Sequence, residues 1–452
     1  MKTLNRRHFL VSAAAASAGL TLRPDSIMAS GSSNQDNEKP AILGGNKTVA
    51  DRFPKWPIYD NLESKGLLDV LYSDKWGRLD GKMTSKFEDE YAKICGAPHC
   101  LATTSGTSSL LTMLGALGIG PGDEIIIPVY TFIATYNAVV LNYALPVIVD
   151  MDPESFQIDA KKIEAAITKN TKAIMPVHMG GSPADMDTIL AIGKKYNIPI
   201  LEDACQAPLA EWRGKKVGTL GLAGGFSFQS SKNLTCGEGG AVISNDKNFI
   251  DNCYKFHHQG WWNVQGEDNN SFNVNTRGSN LRITEFQSGI LVSQMTRLIE
   301  QSKIRYDNAL YLSSLLKEIP GLAPARLYEG VTNSAFHFYM FRYEKEGFDG
   351  MSREQFMRAM SYEGINLSSG YGKIYTYITN LAKSKYYLKI YGEKEMKRWL
   401  EKIECPVNEK IANEHAVWLS QSSLLGSREQ FEQIATAARK IQKYAKEIKN
   451  KG

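Results

Sequence analysis

The strongest constraint on the fold of this chain is a regular alternation of short apolar runs with longer stretches of helical spacing. The runs EIIIPV and PVIVDMD are almost uncharged, and helical patterns follow them in TFIATYNAVVLNYA and DAKKIEAAIT. Strands that are apolar on both faces belong to sheets covered by helices on both sides, and such sheets are mostly parallel. The pattern therefore predicts an α/β chain built on a large, mostly parallel, doubly wound sheet.

The pattern changes after a long helical stretch that begins at Thr284. SAFHFYMFRY alternates like a half-exposed strand, and helical stretches follow at 352–363 and 428–448. A smaller C-terminal α+β domain fits this arrangement. We predict that 56–300 forms the large domain and 301–452 the small one, which agrees with the two or three domains that 452 residues allow.

Residues 1–29 are typical of a twin-arginine export signal. Arg6 and Arg7 precede the uncharged, small-residue run VSAAAASAGL. The alternative is a basic amphipathic helix at a cytoplasmic N-terminus. Residues 30–55 are rich in Ser, Asn and Lys and would form a linker or arm before the fold. We expect an exported, periplasmic or otherwise extracytoplasmic protein without an integral membrane segment in its mature chain, because no later apolar run is long enough.

Charge and cysteine content narrow the partners. Charged residues make up 22% of the chain and the formal net charge is +5, which is not the strongly basic balance of a nucleic-acid-binding protein. We expect a small-molecule partner instead. The cysteines are scattered, without C-x-x-C or zinc-like spacing, so they predict buried thiols, although an oxidising compartment leaves one disulfide open. They are Cys95, Cys100, Cys205, Cys236, Cys253 and Cys405.

The stretch SGTSS, from Ser105 to Ser109, lies at a predicted strand end where a helix begins. The unpaired N–H groups and hydroxyls at such a point can bind a phosphate. The alternative is an ordinary N-cap, which serine supplies in many helices.

The stretch LEDACQA places Asp203 and Gln206 directly after the predicted strand IPIL. A carboxylate at the carboxyl end of a parallel strand faces the crevice in which doubly wound sheets bind ligands. Taken alone, Asp203 could equally be a loop or capping aspartate.

Lys232 lies in SFQSSKNLTCGEGG, between two strand-like, apolar segments. A single lysine is usually a solvated surface charge. Here the flanking strands predict burial, which disfavours the ammonium form and lowers the lysine pKa from about 10.4. An amine of lowered pKa can attack a carbonyl group.

A phosphate cradle, a strand-end carboxylate and a buried lysine on an α/β scaffold are together what pyridoxal 5′-phosphate requires. The cradle anchors the phosphate, the carboxylate keeps the pyridine nitrogen protonated, and the lysine holds the aldehyde as a Schiff base. We therefore predict that this cofactor binds to the large domain.

The sequence resembles the DegT/DnrJ/StrS family of pyridoxal-phosphate-dependent sugar aminotransferases, which have fold type I. The resemblance extends from about Gly44 to the C-terminal helix. Besides the three stretches above, it rests on WGRLDG, GIGPGDEIIIP, TFIATYNAV, PVHMGGSPADMD and NLRITEFQ.

The resemblance implies a role for each matching residue. Lys232 would be the catalytic residue and carry the Schiff base, Asp203 would bind the pyridine nitrogen, and Gln206 would lie near the ring hydroxyl. Phe132 would stack on the ring. The phosphate would be held by Gly106, Thr107, Ser108 and Ser227, and by Asn280 from the neighbouring subunit of an obligate homodimer.

The family resemblance also implies the reaction. An amino donor, L-glutamate or L-glutamine, would aminate a keto-sugar, a nucleotide-linked keto-sugar or a keto-cyclitol, with Lys232 as the base that moves the proton. Two alternatives stay open: a related pyridoxal-phosphate enzyme that eliminates from or oxidises an amino sugar, and a non-catalytic sensor. A family branch with histidine in place of the lysine is a dehydratase, and Lys232 argues against it.

Two departures and several histidines bear on the substrate. The chain has SNLR where relatives often have YNYR, and HMGG where they often have HLYG, so the sugar specificity of those relatives is not carried over. His178 could line the substrate pocket or be a satisfied histidine at a strand end. His257 and His258, with Trp261 and Trp262, have no third ligand at useful spacing, so we expect no metal site. The tryptophans could stack on a sugar or pack in a loop or dimer contact.

Overall fold

The computed structural model describes residues 38–260, 277–371 and 375–451. Its strands fall mainly in the large domain. They are β1 His99–Thr103, β2 Glu124–Pro128, β3 Leu145–Val149, β4 Thr171–Ile174, β5 Leu201–Asp203, β6 Glu211–Trp212, β7 Lys215–Lys216, β8 Ala223–Ser227, β9 Gly240–Ser244, β10 Leu322–Pro324, β11 Val331–Asn333, β12 Phe338–Tyr343 and β13 Ala416–Ser420.

Helices alternate with these strands over most of the described chain. They are α1 Asn61–Tyr72, α2 Met83–Cys95, α3 Gly106–Ala116, α4 Ile133–Leu141, α5 Ala160–Ala166, α6 Met186–Tyr196, α7 Lys247–His257, α8 Glu285–Leu316, α9 Arg353–Tyr362, α10 Tyr375–Ala382, α11 Lys385–Tyr391, α12 Glu393–Glu401, α13 Pro406–Lys410, α14 Arg428–Lys443 and α15 Ala445–Lys451.

The large sheet has the order β3-β2-β4-β5-β8-β9-β1. Strand β2 is parallel to both β3 and β4, and β5 is parallel to β8. Single parallel bridges, Ile174 to Ile200 and Val177 to Asp203, join the two halves. Strand β9 runs antiparallel to β8 and β1. The predicted α/β fold with a mostly parallel sheet is confirmed, and β9 is the one reversed strand in this order.

Burial of the central strands on both faces explains why their sequences are almost uncharged. Every residue of β9 is buried, and Ile125, Ile126 and Ile127 of β2 have no exposed surface. Alternate residues of β2 belong to apolar clusters on opposite faces of the sheet, with Ile125 and Ile127 in one and Ile126 in the other. Helices therefore cover both faces, as the apolar runs predict.

The long helix α8 connects the large sheet to the C-terminal part of the chain. It begins with a capping box, in which Thr284 accepts from the Gln287 N–H and the Gln287 side chain accepts from the Thr284 N–H. The helix packs against α1 and α2 at one end and against α14 at the other. There β10, β12 and β13 form an antiparallel sheet over a second apolar cluster.

The helices α10 to α13 pack on the core of the large sheet, although they fall within the predicted small domain at 301–452. The Trp399 indole N–H donates to the Pro146 carbonyl at 2.9 Å, and the Tyr387 hydroxyl donates to the Ala144 carbonyl at 2.8 Å. These contacts tie the C-terminal half of the chain to the edge strand β3.

Two further features concern the described residues only. None of their helices combines the length and the apolar character that crossing a membrane would require. The six cysteines all lie in the described ranges, and no disulfide joins any two of them.

Candidate active site

A cavity of about 480 Å³ opens where the carboxyl ends of β1, β2, β5 and β8 meet. This volume lies in the range of small-molecule sites. Seven of the nine predicted cofactor residues line it, and they come from segments far apart in the sequence. They are Gly106, Thr107, Phe132, Asp203, Gln206, Ser227 and Lys232.

One wall of the cavity is the N-terminus of α3. Ser105 caps this helix by accepting from the Ser108 N–H at 3.1 Å, while the N–H groups of Gly106 and Thr107 have no hydrogen-bond partner among the described residues. A Cβ atom on Gly106 would lie 2.5 Å from the Ser227 Cβ and 3.0 Å from the Cys205 Sγ. Glycine therefore lets β8 approach the helix terminus, where the free N–H groups and its partial positive charge suit a phosphate.

Asp203, at the end of β5, is buried with its carboxylate fixed. Oδ2 accepts from the Thr135 hydroxyl at 2.7 Å, and Oδ1 accepts from the Cys205 N–H at 3.1 Å. The Thr135 hydroxyl is in turn hydrogen-bonded to that of Thr131 at 2.7 Å. A carboxylate held in this way can face a protonated ring nitrogen without having to reorient.

Lys232 is half-buried on the opposite wall. No hydrogen bond or ion pair of its Nζ is found among the described residues. Burial lowers the pKa of this amine, and the nearby Cys205 and Asp203 oppose the shift only in part. The chemistry predicted from the sequence therefore has a physical basis here: an unpaired, partly desolvated amine lines the same cavity as a fixed carboxylate.

Gln206 binds a tyrosine that the sequence analysis missed. Its Oε1 accepts from the Gly180 N–H and its Nε2 donates to the Tyr371 hydroxyl oxygen, each at 2.8 Å. Phe132 is 51% exposed, and its ring centroid lies 5.7 Å from that of Tyr371. The two rings are tilted by 47° to each other, and both line the cavity. Tyr371 lies 165 positions from Gln206, so no local sequence signal pointed to it.

Three predicted site residues do not line the cavity. Ser108 directs its hydroxyl to those of Thr104 and Ser105 behind the helix terminus. Asn280 is exposed on the surface. His178 is fully buried, where its Nδ1 accepts from the Ala184 N–H and its Nε2 donates to Glu202 at 3.0 Å. The structure therefore corrects the position of His178: it is the satisfied strand-end histidine of the two interpretations, because both ring nitrogens are used inside the protein.

The other histidine cluster is also engaged internally. His257 donates from Nδ1 to the Tyr254 carbonyl at 2.8 Å, and the His258 Nδ1 accepts from Arg282 at 2.8 Å. Burial lowers the pKa of His257 to about 3, with Arg78 as the next cause. Trp261 and Trp262, the predicted stacking or packing residues, lie outside the described residues.

His337 and Glu238 also line the cavity and were not predicted. His337 uses Nδ1 in a hydrogen bond with the Asn233 Oδ1 at 3.2 Å. Burial, and then the charges of Lys232 and Arg305, hold the pKa of His337 well below its usual value, so this ring is neutral. His337 lies in the stretch SAFHFYMFRY, which was interpreted only as an alternating strand of the smaller domain.

The residues present fit pyridoxal 5′-phosphate. Free helix N–H groups suit its phosphate, Asp203 suits its ring nitrogen, and Lys232 is an amine for its aldehyde. Gly106 supplies the strongest structural argument, because a Cβ atom there would clash with Ser227 and push the helix terminus away from β8.

Comparison with known proteins agrees with this fit. The model of the DegT/DnrJ/EryC1/StrS aminotransferase family matches residues 57–436. A 3-amino-5-hydroxybenzoate synthase of Amycolatopsis mediterranei (strain S699) is 38% identical over 299 residues, covering 66% of this chain and 76% of its own. An L-glutamine:2-deoxy-scyllo-inosose aminotransferase of Streptoalloteichus tenebrarius is 32% identical over 425 residues, covering 91% and 100%.

A solved structure shows the same fold. The crystal structure of a 3-amino-5-hydroxybenzoic acid synthase superposes with a TM-score of 0.76 at 31% identity, covering 88% of this chain and 100% of that one. The chain therefore belongs to the DegT/DnrJ/EryC1/StrS aminotransferase family and is a pyridoxal-phosphate-dependent aminotransferase of fold type I.

Proposed function

We propose that this aminotransferase moves the amino group of L-glutamine or L-glutamate to an uncharged keto-cyclitol or keto-sugar, with Lys232 as its catalytic residue. The observation that carries the proposal is the single unpaired amine of Lys232 in a cavity that also contains the fixed carboxylate of Asp203. The similar proteins named for L-glutamine and for scyllo-inosose derivatives favour this donor and this kind of acceptor.

Each residue of the cavity has a task in this reaction. Pyridoxal 5′-phosphate, when bound, supplies an aldehyde that condenses with amines and a protonated ring that accepts electrons. Asp203 would keep the ring nitrogen protonated, Phe132 would cover one ring face, and the α3 N-terminus would hold the phosphate. Lys232 Nζ would act as the base that accepts the proton of the donor carbon and later gives a proton back.

The charge of the cavity favours an uncharged acceptor. Among the described residues that line it, Lys232 is the only side chain that carries a positive charge, since His337 is neutral. A nucleotide diphosphate is usually bound by Arg or Lys side chains. We therefore place a keto-cyclitol or a free keto-sugar ahead of a nucleotide-linked keto-sugar.

The catalytic assignment is tested by trapping the cofactor. Borohydride reduction of the holoenzyme followed by peptide mapping should place the cofactor on Lys232. Lys232→Ala should lose the yellow colour and lower kcat by about 10²- to 10⁴-fold or more. Lys247→Ala changes a surface lysine that pairs with Asp251 and should behave as wild type. A label on another lysine would overturn the assignment.

The substrate assignment is tested by a half-reaction screen. The yellow colour should bleach with L-glutamine or L-glutamate and return with an uncharged keto-cyclitol or keto-sugar. Return of colour only with nucleotide-linked keto-sugars would contradict the acceptor class, while leaving the role of Lys232 intact.

The enzyme would act as a homodimer in which Asn280 reaches the phosphate of the neighbouring site. Two observations support this: Asn280 is exposed, and exposed apolar side chains lie along and beyond α1. These are Leu68, Leu71, Tyr72, Trp76 and Leu79. A surface of this kind is typical of a subunit interface.

Subunit complementation tests the shared site. Lys232→Ala and Asn280→Asp would each be nearly inactive alone, but a mixed dimer contains one site with both wild-type residues. Mixing after dissociation should restore up to about a quarter of the wild-type activity. No recovery in dimers shown to be mixed would exclude a site shared through Asn280.

The protein would be exported by the twin-arginine pathway through residues 1–29. The Arg6–Arg7 pair and the uncharged run after it support this proposal. Replacing both arginines by lysine should shift the protein from the periplasm to the cytoplasm in cell fractionation. Unchanged fractionation would contradict it.

A further inference from the structure

Arg305, in the middle of α8, is a fully buried cation without an acidic partner among the described residues. Burial alone lowers the pKa of its guanidinium to about 9. Within the described part of the chain, its Nη1 has no hydrogen-bond partner. A buried, unpaired charge is costly to a fold, and a methionine of similar length would avoid that cost. We therefore expect the charge and planar shape of the Arg305 guanidinium to serve a purpose, which its contacts indicate.

The guanidinium donates from Nη2 to the Gln301 Oε1 at 3.4 Å, one turn earlier on α8, and contacts two side chains from distant parts of the chain. Nε donates to the Gln421 Oε1 at 2.9 Å, just beyond β13. The guanidinium carbon also lies 5.1 Å from the ring centroid of Trp56, which precedes α1. This distance is that of a cation–π contact.

Both partners of Arg305 hold the backbone next to Lys232. The Trp56 indole N–H donates to the Ser230 carbonyl at 3.0 Å, and the Gln421 Nε2 donates to the Ser231 carbonyl at 3.4 Å. Because Arg305 occupies the amide oxygen of Gln421, the NH₂ group of that amide is the end that faces Ser231. Each contact therefore connects Arg305 to one of the two carbonyls that precede the lysine.

The ends of the turn that receives these bonds are anchored, because Gln229 is bridged to Gly237 and the Asn233 side chain donates to the Ala335 carbonyl at 2.7 Å, but its middle has few contacts. Ser230 and Ser231 are exposed, and the hydrogen bonds found within Gln229–Lys232 are local ones, including Lys232 N–H to the Gln229 carbonyl at 2.8 Å. A short exposed turn is a poor platform for an amine that must reach one carbon atom accurately. Support from Trp56 and Gln421 would supply the missing rigidity.

We propose that Arg305 is a positioning residue for Lys232: it holds Trp56 and Gln421 against the Ser230 and Ser231 carbonyls and thereby fixes the backbone from which the lysine amine enters the cavity. The inference rests on the proposed catalytic role of Lys232. It adds that Arg305 connects three parts of the chain that support the backbone at Lys232. These parts are the segment before α1, the helix α8 and the turn after β13.

The test compares Arg305→Met with Arg353→Met as a matched control. Arg353 is also a buried arginine that donates to backbone carbonyls, those of Ala412 and Ala416, but it does not contact the Gln229–Lys232 segment. Arg305→Met should lower kcat by about 10- to 100-fold, since small displacements of reacting groups have effects of this size. The donor KM should change by less than about 2-fold. Arg353→Met should change stability without this kcat effect.

Two readouts do not depend on turnover. Circular dichroism of the cofactor band, per bound cofactor, should fall in Arg305→Met and not in Arg353→Met. In the cofactor-free protein, formaldehyde with cyanoborohydride should methylate Lys232 at a changed rate relative to Lys247, as measured by peptide mass spectrometry. A merely structural role would lower the melting temperature but leave both signals of the folded protein unchanged, and that result would overturn the proposal.

Smaller substitutions keep the test decisive if Arg305→Met does not fold. Trp56→Phe keeps a ring beneath the guanidinium but removes the N–H donor, and Gln421→Met removes the amide. Each should give part of the Arg305→Met effect, and their effects should be less than additive with it. Arg305→Lys keeps the charge without the planar fork and should not restore kcat. Wild-type kcat and dichroism in both Trp56→Phe and Gln421→Met would refute the proposal, whereas borohydride trapping tests Lys232 itself independently.

Discussion

Two opposing influences set the proton affinity of the Lys232 amine. Burial lowers its pKa most, while Cys205 and then the negative charge of Asp203 favour the ammonium form and raise it. The carboxylate cannot move away to weaken this effect, because Thr135 and the Cys205 N–H hold both of its oxygens. Asp203 therefore also affects the pKa of Lys232, although its main proposed role is to bind the ring nitrogen of the cofactor.

We predict that Asp203→Asn lowers the pKa of Lys232 further in the cofactor-free protein. Removing the anion leaves burial with less opposition, so the amine loses its proton at lower pH. The pH dependence of Lys232 methylation by formaldehyde and cyanoborohydride would show the shift. Asp251→Asn, at a surface ion pair with Lys247, should leave the Lys232 profile unchanged. A midpoint that stays constant or rises in Asp203→Asn would contradict this account.

Residues near Lys232 in the sequence could be predicted, whereas its distant supports could not. The glycines and strand-like flanks of Lys232 are local signals of a turn between two buried strands. Tyr371 and Trp56 reach the site from 165 and 174 positions away, and their neighbours in the sequence have no pattern that specifies such contacts. For His178 the local signal was misleading. Its position after a strand suggested that it could line a pocket, whereas its side chain is hydrogen-bonded to the buried Glu202.

The start of helix α3 depends on the absence of a side chain at its first position. A Cβ on Gly106 would meet the Ser227 Cβ and the Cys205 Sγ, and the Ser227 Cβ cannot withdraw easily because it is attached to the backbone of β8. The helix terminus would have to move away from β8. The predicted phosphate site would then lose its shape, even if the helix itself remained folded.

We predict that Gly106→Ala weakens pyridoxal 5′-phosphate binding by about 10- to 100-fold, which corresponds to the usual cost of overpacking. Cofactor titration followed by absorbance would measure it. Gly120→Ala is a matched control, because a Cβ at Gly120 has nothing within 4 Å. Equal cofactor affinities in the two variants would show that the α3 terminus does not hold the phosphate.

The segment before α1 is fastened to the C-terminal helices by a buried ion pair. Glu363, just after α9, accepts from the Ala41 N–H at 2.7 Å and the Thr48 N–H at 2.9 Å. Lys440 of α14 donates to Glu363 at 2.9 Å and to the Asn46 carbonyl at 2.7 Å. Both charges are thus hydrogen-bonded to the same stretch of backbone, and loss of either would leave the other buried and unpaired.

We predict that Glu363→Ala or Lys440→Ala lowers the free energy of unfolding by about 3–5 kcal/mol, as expected when one partner of a buried pair is removed. Urea denaturation would measure the loss. Lys443→Ala is the control, because Lys443 lies on the same helix and pairs with Glu38 of the same segment at the surface. It should stay close to wild type. Wild-type stability of both Glu363→Ala and Lys440→Ala would show that this ion pair does not stabilise the fold.

The spacing of apolar residues predicted the positions of the helices better than the elements against which they pack. The helix expected to begin at Thr284 is found at Glu285–Leu316. The pattern at 428–448 is split into α14 and α15, because Tyr444 leaves the helical conformation between them. Amphipathic spacing shows that a helix has an apolar face but not which core that face meets. For this reason the packing of α10 to α13 on the large sheet could not be read from the sequence.

At the scale of the whole molecule, composition also leaves the direction of each strand in the sheet undetermined. Strand β9 is as apolar as the parallel strands of the sheet, yet it runs antiparallel to its neighbours β8 and β1. The reason is that the chain returns from β8 through the short connection that contains Lys232 instead of through a crossover helix. Parallel neighbours require such a crossover. The reversal places Ser227 and Gly240 opposite each other, so the segment that carries Lys232 is held at the cavity edge by both of its strands.

The buried His257 makes the stability of the whole protein sensitive to acid. Burial and Arg78 lower its pKa from 6.5 to about 3 in the folded state, and its Nε2 has no hydrogen-bond partner in the ranges that the structure describes. Between these two pH values the unfolded chain binds a proton that the folded protein excludes. The unfolding free energy should therefore fall as pH falls through this window, by about 1.4 kcal/mol per pH unit for this one group, and the contribution should level off below the lower value.

We predict that His257→Gln removes this contribution while keeping a side chain that can donate to the Tyr254 carbonyl. Urea denaturation of the cofactor-free protein from pH 7.5 to pH 4 would show it. At pH 7.5 the difference between variant and wild type reports packing alone, since the histidine is neutral in both states. Below about pH 6.5 the variant should lose stability less steeply than wild type. Parallel curves would mean that His257 takes up its proton without unfolding, and that the apolar contacts around it open more easily than their burial implies.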